Sequence, residues 1–406
     1  MSLPNPIHCA IRQSPQGYLS FADFMELALY HPEIGYYAQP RPPIGSRGDF
    51  VTATHLAPDF GELMVLQFYD FWKALDRPRS FTVVEMGAGQ GLMSMDGLRF
   101  LAQTESDDLQ VFAKALNWKI IERSPAMIAA QKSQLQGLPP NFIPLQWHTL
   151  TDLAPDSICG CFFSNELVDA FPVHRLRKSQ GQLYEIGVGL GAPSSPAELQ
   201  EKLVPLENPA LLEYLSEMGI DLLDPVYPEG YTTEINLHLK PWIAQVAAAL
   251  QQGFVLTIDY GYPVHRYYSP ARSQGTLQCY TQQKAHGNPY ERVGQQDITA
   301  HVNFTALEYY GTQAQLERLH YTQQGIMLMA LGLGDRLHQN NSRPDLENLE
   351  FILQRRQALQ GLIDPLGLGG FGVLLQAKGI PSSQRSYAYQ GFPRTDISRS
   401  ETMVQP

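Results

Sequence analysis

Short apolar runs and amphipathic stretches alternate along most of this chain. The runs are rich in β-branched and aromatic residues and stop at an acid or a glycine, as buried strands of a parallel sheet do. Between the runs, apolar residues recur at the three- and four-residue spacing of one helix face. Strands that alternate with helices predict an α/β fold with a mainly parallel, doubly wound, Rossmann-like sheet. The predicted strands are Phe81–Glu85, Trp118–Glu122, Ile158–Ser164, Phe254–Asp259 and Phe371–Lys378, with Gln182–Leu190 as an accessory strand.

The helical spacing predicts helices before and between these strands. Ser20 is placed to cap the first helix, which ends before Pro32 because proline disfavours helix in the preceding residue. Two regions lack a clear pattern: residues 193–230 are rich in Pro, Glu and Leu, and residues 262–294 are polar and irregular. The predicted helices cover residues 20–29, 60–75, 92–101, 124–135, 239–250, 303–319 and 325–359.

Three glycines follow the first strand closely, at Gly87, Gly89 and Gly91. Glycine lets the backbone approach a ligand at positions where any Cβ would collide with it. A dinucleotide-binding turn needs its third glycine one residue later, where this chain has Leu92. The Glu85 carboxylate would also repel a pyrophosphate, whereas it would attract a cationic amino-acid group. The turn therefore favours S-adenosylmethionine over NAD, and a glycine-rich turn that binds nothing is the alternative.

Acidic side chains stand at the carboxyl ends of the predicted strands, where an open parallel sheet binds its ligands. Glu122 ends the second strand and can accept hydrogen bonds from both ribose hydroxyls, because a carboxylate offers two acceptor oxygens. A solvated acid at a strand end is the alternative for this residue. Asn165 and Glu166 follow the third strand and are expected beside the transferable methyl group, and Asp259 ends the fourth strand.

Methyl transfer to a neutral nucleophile needs alignment of the reacting atoms. A guanidinium acceptor also needs carboxylates that grip its planar fork. Glu166 and Asp169 are candidates for this grip, and Asp49 and Glu62 could reach it from the N-terminal segment. For Asp169, an acid that stabilises a first helical turn is an equally good interpretation. An Asn-Pro-Pro-Tyr quartet is missing after the third strand, which disfavours a methyltransferase for DNA bases or glutamine.

The composition narrows the range of partners. A formal net charge of −11 disfavours general nucleic-acid binding, which needs a basic surface. The pair Cys159 and Cys161 has no second cluster at zinc spacing, so no metal is expected. Apolar runs stay shorter than about 18 residues, so stable membrane insertion is not expected.

Nine sequence motifs occur in order between Tyr18 and Lys378. They are residues 47–53 (RGDFVTA), 60–62 (FGE), 84–91 (VEMGAGQG), 121–125 (IERSP), 165–173 (NELVDAFPV), 258–261 (IDYG), 275–280 (GTLQCY), 297–304 (DITAHVNF) and 364–367 (DPLG). Together these motifs resemble those of the MidA family of class I S-adenosylmethionine-dependent methyltransferases. Mitochondrial members of that family dimethylate an arginine of a peripheral-arm subunit during assembly of respiratory complex I.

The resemblance implies which residues hold the methyl donor. Gly87, Gly89 and Gly91 match the glycine turn of the family, and Glu122 matches its ribose acid. Glu85, Ala88 and Ser124 lie beside these residues and are further candidates for binding the donor. The family motif after the third strand matches Asn165, Glu166 and Asp169. The N-terminal signature matches Gly48, Asp49 and Thr52, and it implies a segment that folds over the donor. His301 falls in a later motif and is retained as a candidate, although a single neutral histidine is more often structural than catalytic.

Two positions depart from the family pattern. Ala88 stands where the family usually has a proline, which is a mild change because alanine adopts ordinary backbone angles. Gln274 stands where the family usually has an arginine before Gly275. The missing guanidinium could alter contacts with the substrate or a partner.

A chain of 406 residues suggests two domains, or one domain with large insertions. Helical insertions are expected to form a second subdomain, whose apolar faces could cover the core or join a second copy in a homodimer. The expected organisation is a donor-covering segment (1–78), the first part of the core (79–192), an insertion (193–235), a core helix and strand (236–262), substrate-side helical and irregular insertions (263–365), the last core strand (366–380) and a disordered tail (381–406).

Three functions remain open from the sequence. The first is a protein-arginine methyltransferase that acts on a subunit of a complex I-like dehydrogenase. The second is a small-molecule methyltransferase of the same fold, and the third is a non-catalytic assembly factor that binds the donor. Residues 1–11 have the pattern of neither a signal peptide nor a transit peptide, so a bacterial, cytoplasmic member is expected.

Overall fold

The computed structural model describes residues 6–38, 52–140, 142–191, 198–281, 284–341, 349–381, 384, 387 and 389–392. The strands are β1 Tyr18–Ser20, β2 Phe81–Met86, β3 Leu116–Ile121, β4 Leu145–His148, β5 Ile158–Asn165, β6 His174–Ser179, β7 Gln182–Leu190, β8 Leu199–Pro205, β9 Thr232–Ile235, β10 Leu250–Asp259, β11 Gly261–Tyr262, β12 Gln278–Thr281, β13 Lys284–His286, β14 Asp297–Thr299, β15 Val302–Asn303, β16 Glu317–Gln323 and β17 Gly372–Lys378.

The helices are α1 Pro6–Gln13, α2 Phe21–Tyr30, α3 Ala53–Leu56, α4 Asp59–Ala74, α5 Leu92–Gln103, α6 Asp107–Ala115, α7 Pro125–Leu135, α8 Pro209–Glu217, α9 Leu239–Ala249, α10 Val264–Tyr267, α11 Phe304–Gln313, α12 Gln324–Leu328, α13 Gly334–Asn341 and α14 Leu349–Ile363. Shorter turns are the 3-10 segments Leu150–Asp152, Val168–Ala170 and Leu368–Gly370 and the π-helical segment Met329–Leu333.

A seven-stranded sheet with the order β16-β17-β10-β5-β2-β3-β4 lies at the centre of the fold. The strands from β10 to β4 are parallel to one another, whereas β17 and β16 are antiparallel to their neighbours. This arrangement confirms the predicted α/β class. The chain winds outward from β2 in one direction and from β5 in the other. The loops after these two strands therefore diverge, and a crevice forms between them.

Apolar side chains cover both faces of this sheet, which explains why β2 is buried at every position. On one face, α4, α5 and α6 pack over residues such as Trp118 and Phe163. The ring of Phe71 in α4 stacks on Phe254 of β10 with their centroids 4.2 Å apart. On the other face, α9 and α11 pack over Phe162 and its neighbours.

The insertions contain strands where the sequence predicted helical or irregular structure. Strands β1, β7, β6 and β9 form an antiparallel sheet in that order, with β8 paired to β7. A further sheet, β13-β12-β14, includes residues from the region that was predicted to be irregular. Strand β7 matches the predicted accessory strand Gln182–Leu190, whereas the other strands of these two sheets were not predicted. These strands are short and partly solvent-facing, so their apolar alternation is weak in the sequence.

The helix predicted over residues 303–319 also needs correction. Helix α11 ends at Gln313, and Gln315 has a φ of 68°, a left-handed conformation that ends the helix. Residues 317–323 then form the edge strand β16, which among the described strands pairs with β17 alone. An edge strand with mixed polar and apolar residues gives little signal in the sequence.

Part of the predicted disordered tail packs on the core. Tyr389 and Phe392 are buried, and the backbone N–H of Gly391 donates a hydrogen bond to Gln67 Oε1 at 3.1 Å. For these residues the prediction of disorder is wrong, because their aromatic rings cover an apolar surface beside Phe71 and Phe254. Among the described residues, no helix has both the length and the apolar character needed to cross a membrane.

Candidate active site

A cavity of about 640 Å³ lies at the carboxyl ends of β2, β3 and β5. Its volume is within the range of small-molecule sites, roughly 300–1,000 Å³. The walls come from the glycine turn after β2, the residues after β3 and β4, and the loop after β5. Helices α2 and α3 of the N-terminal segment and the first half of α9 complete them. The cavity therefore occupies the place at which the sequence predicted a ligand.

The glycines of the turn have positive φ angles of 68° at Gly87, 53° at Gly89 and 77° at Gly91. Each of them has a different neighbourhood. Gly89 lines the cavity, and a Cβ built on it meets nothing within 4 Å, so the missing side chain keeps that space open. A Cβ on Gly87 would lie 2.7 Å from Leu167 Cδ1, so this glycine lets the turn pack against the loop after β5. Gly91 is the N-cap of α5 and lies outside the cavity wall, whereas Ala88 lines the cavity.

Glu85 lies at the base of the turn and is buried. Its Oε2 accepts hydrogen bonds from Ser94 Oγ and from Trp118 Nε1, the latter at 3.1 Å. Burial raises the pKa of this carboxyl to about 7, although both hydrogen bonds act in the opposite direction. Glu85 borders the cavity, and its attraction for a cationic amino-acid group stays a prediction.

Glu122 lines the cavity after β3, where the ribose acid was predicted. Its Oε1 accepts hydrogen bonds from the backbone N–H groups of Arg123 at 2.8 Å and Ser124 at 2.9 Å. Its Oε2 accepts one from Gln131 Nε2 at 3.2 Å. A carboxylate offers about four acceptor positions, so Oε2 keeps roughly one position for a ribose hydroxyl. Burial raises the pKa of Glu122, and its hydrogen bonds lower it.

Asn165 and Glu166 line the cavity at the end of β5. Glu166 has a φ of 53°, a strained conformation for a residue with a side chain, and its backbone N–H donates to Ile258 O at 3.0 Å. Its Oε1 accepts hydrogen bonds from Asn165 Nδ2 at 3.0 Å and from the backbone N–H of Ala53 at 3.3 Å. Burial, and then the charge of Asp169, raise the pKa of Glu166 to about 8.

Asp169 lies next to Glu166 but behind the cavity wall, with only 5% of its surface exposed. The hydroxyl of Tyr260 donates a hydrogen bond to Asp169 Oδ2. Burial raises the pKa of Asp169 to about 6, and the hydrogen bond from Tyr260 lowers it. The structure thus brings the two predicted carboxylates together and exposes only Glu166 to the cavity.

The other predicted residues lie in different places. Thr52 lines the cavity, and its Oγ1 is 2.6 Å from His55 Nδ1. Asp49 lies outside the described residues. His301 is not in the cavity wall; its ring packs edge-on against Tyr260 at 5.2 Å, and burial lowers its pKa to about 4. Glu62 pairs with Arg336 of the insertion helices instead of facing the cavity.

The sequence did not predict several residues that line the cavity. The rings of Tyr30 and Tyr37 stack with centroids 5.5 Å apart, and the Arg123 guanidinium lies 3.3 Å from the centre of the Tyr30 ring. His55 and Trp242 also line the cavity. Tyr37 and His55 stand at the borders of a Gly- and Pro-rich stretch without periodicity, so only tertiary structure identifies them.

A model of the family Methyltransf_28, described as "Putative S-adenosyl-L-methionine-dependent methyltransferase", matches residues 63–322. Among curated proteins, the chain is 25% identical over 382 residues to the protein arginine methyltransferase NDUFAF7 of Homo sapiens, covering 89% of this chain and 80% of that protein. It is also 25% identical over 374 residues to the homolog from Drosophila melanogaster, covering 87% of this chain and 80% of that protein.

A solved structure from Burkholderia thailandensis, bound to S-adenosyl-homocysteine, has 29% sequence identity and a TM-score of 0.78. The alignment covers 98% of this chain and 99% of that chain. The likeness extends over the central sheet and the insertions together.

Proposed function

We propose that this chain, which belongs to the Methyltransf_28 (MidA) family of S-adenosyl-L-methionine-dependent methyltransferases, methylates an arginine side chain of a protein. S-adenosylmethionine is the cofactor, as the family and the S-adenosyl-homocysteine-bound relative show. The observation that carries the arginine assignment is Glu166, which has a strained backbone with a φ of 53° and places a carboxyl with a pKa of about 8 in the cavity wall.

The residues present fit the donor. Gly89 leaves open space beside the cavity, and Glu122 keeps an acceptor position for a ribose hydroxyl. Among the described residues, the buried Asn165 Oδ1 has no hydrogen-bond partner. An unpaired buried acceptor costs about 1–3 kcal/mol, so a ligand that donates a hydrogen bond there would be stabilised. We therefore assign the donor's ribose to Glu122 and a polar group of the donor or acceptor to Asn165.

On the acceptor side, Glu166 supplies the recognition of a guanidinium. A bound cation favours the ionised form of a nearby carboxyl, so arginine binding would lower the raised pKa of Glu166. The planar guanidinium can donate its N–H groups to Glu166 Oε2, the carboxylate oxygen that Asn165 and Ala53 do not use. Because Glu166 Oε1 already accepts from Asn165 and Ala53, its orientation is fixed before the acceptor arrives.

The S-adenosylmethionine sulfonium supplies an electrophilic methyl group when the donor is bound. The acceptor nitrogen must lose a proton as it gains this methyl group. Glu166 lies in the same cavity, and binding of the cationic acceptor favours its ionised form, so its carboxylate accepts this proton as the methyl group is transferred and later releases it to solvent. The N-terminal segment, through Thr52 and the backbone of Ala53, helps exclude water from this end of the cavity.

A protein substrate is favoured by the arginine methyltransferases that the chain resembles over most of its length. By analogy with the MidA family, we propose a subunit of a complex I-like dehydrogenase as the substrate. Gln274, which replaces a family arginine, is exposed on the surface and is available for contact with that subunit.

Mass spectrometry of the proteome with and without this protein tests the proposal. We expect a methylarginine on a respiratory-type subunit to disappear when the gene is deleted. Restoring the wild-type chain should return the modification, whereas the Glu166→Gln variant should not. A missing methylated metabolite with an unchanged set of methylarginines would instead identify a small-molecule methyltransferase.

A further inference from the structure

Tyr260 directly follows strand β10, and its side chain contacts the loop that carries Glu166. Its hydroxyl donates to Asp169 Oδ2, and its backbone N–H donates to Asp259 Oδ1 at 2.9 Å. The Tyr260 ring packs against His301 at 5.2 Å and against Phe371 at 5.3 Å. These contacts fix the ring, so the hydroxyl is held in one place.

The loop that carries Glu166 and Asp169 is held from several directions. Asp259 Oδ2 accepts hydrogen bonds from the backbone N–H groups of Val168 at 2.9 Å and Asp169 at 3.3 Å. The backbone N–H of Ala300 donates to Asp169 O at 2.9 Å. The Asp169 carboxyl therefore has little freedom to move away from Glu166.

The titratable groups that face this pair come from several elements. Asp259 and Tyr260 face Asp169 from the end of β10, and Glu166 faces it from the same loop. From the N-terminal segment and the β13-β12-β14 sheet, the electrostatic neighbours of the pair are Tyr30, Tyr37, Tyr280 and Asp297. All of these groups are acids or phenols, so a negative charge on Asp169 needs a donor that stabilises it.

We propose that Tyr260 is a positioning residue that acts on Glu166 through Asp169. Hydrogen-bond donation by the Tyr260 hydroxyl keeps Asp169 negatively charged and in place. The charge of Asp169 in turn makes Glu166 a stronger base for the proton that the acceptor nitrogen loses. Only the transfer of the acceptor's proton rests on the proposed function. The hydrogen bond from Tyr260 to Asp169 and the electrostatic effect of Asp169 on Glu166 are present without an acceptor.

The test measures the ionisation of Glu166 directly, by infrared difference spectroscopy of its protonated carboxyl across a range of pH. The Glu166→Gln variant identifies the band. In Asp169→Asn, the midpoint of the Glu166 titration should fall by about one pH unit, because a neighbouring like charge is removed. In Tyr260→Phe the midpoint should fall in the same direction by a smaller amount, because Asp169 then becomes protonated more easily.

Tyr267→Phe is the matched control. The Tyr267 hydroxyl is also buried, but it donates to the backbone carbonyl of Glu234 at 3.4 Å, away from Asp169. This variant should leave the Glu166 midpoint unchanged. A Tyr260→Phe midpoint equal to that of the wild type, in protein that circular dichroism shows to be folded, would overturn the proposal.

The pH dependence of methyl transfer separates this proposal from the proposed function. If the acidic limb of the rate moves to lower pH in Tyr260→Phe together with the infrared midpoint, both are supported. If the midpoint moves but the wild type methylates no arginine, the role of Tyr260 holds and the arginine assignment falls. If arginine is methylated and the midpoint does not move, the role of Tyr260 falls alone.

Discussion

The proposed donor side and the proposed acceptor side of the cavity are built in different ways. The donor side comes from short contiguous segments: a strand, a glycine turn and the acid that ends the next strand. On the proposed acceptor side, the loop after β5 and the N-terminal segment line the cavity. Asp259 of β10 and Ala300, which follows β14, hold this loop from behind. Local backbone geometry determines the first, and tertiary contacts among distant residues determine the second.

The two sides also differ in their electrostatics. On the donor side, Glu122 accepts three hydrogen bonds from its own chain and is ready to accept one more. On the acceptor side, Glu166 and Asp169 lie close together, and burial raises the pKa of both. A pair of this kind is suited to proton exchange, whereas the donor side is suited to binding.

Glu166→Gln should have the largest effect: it should lower the rate of methyl transfer strongly and leave donor binding almost unchanged. The amide retains the size of the side chain but cannot take the acceptor's proton, so the rate of methyl transfer should fall by about 10²- to 10⁴-fold. Donor affinity, measured by calorimetry, should change by less than about threefold, because the glycine turn and Glu122 are untouched. A rate above about one tenth of the wild-type rate would remove Glu166 from the chemistry.

Gly89→Val should affect the donor side alone. A side chain at this position enters the space beside the cavity, and donor affinity should fall by about 100-fold or more, equivalent to about 2.7 kcal/mol. Gly181→Val is the matched control, because Gly181 also has a positive φ and open space around its Cβ but lies in the turn between β6 and β7. Both variants should lose similar stability, roughly 1–2 kcal/mol, from the left-handed backbone. Equal donor affinity in the two variants would contradict the assignment of the turn.

Glu122→Gln measures the contribution of the ribose acid. A hydrogen bond to a charged group contributes about 1.5–3 kcal/mol, and the amide offers a weaker, uncharged acceptor. Donor affinity should fall by about tenfold, and the rate at saturating donor should change little. Calorimetry that shows a loss smaller than threefold would count against a ribose contact through Oε2.

The last expected effect concerns neither donor binding nor the rate of methyl transfer, but the dependence of stability on pH. The pKa of Glu166 is raised from 4.5 to about 8 by burial, and the folded protein therefore binds more protons than the unfolded chain between these values. The stabilisation from this group is complete at low pH and is lost as the pH rises through about 8. The free energy of unfolding of the wild type, relative to Glu166→Gln, should fall as the pH rises from about 5 to about 8.5. Urea titrations of the wild type and of Glu166→Gln measure this difference. If the two free energies of unfolding change in parallel over this pH range, Glu166 has an ordinary pKa in the folded protein.

The contrast between contiguous segments on the donor side and distant segments on the acceptor side also explains which features the sequence could predict. The glycine turn, Glu122 and the parallel core strands follow from contiguous patterns. The sequence also predicted the cap of α2 by Ser20, whose Oγ accepts a hydrogen bond from the Asp23 N–H at 3.0 Å. The sequence could not predict that Asp169 lies behind the cavity wall, that the Tyr260 hydroxyl contacts it, or that His55 lines the cavity. These features depend on chain segments that meet only in the folded protein. The antiparallel strand β7 was predicted, whereas strands of three or four residues, such as β1, β9 and β12–β14, were missed because they are too short to show an alternation of apolar and polar residues.

A crystal structure with S-adenosyl-homocysteine and an arginine-containing peptide tests the central claim most directly. We expect the nucleoside beside Gly89 and Glu122, and the guanidinium of the peptide within hydrogen-bond distance of the Glu166 carboxylate. A peptide that binds with its arginine away from Glu166, or an apolar molecule that fills this end of the cavity, would contradict the assignment of an arginine acceptor.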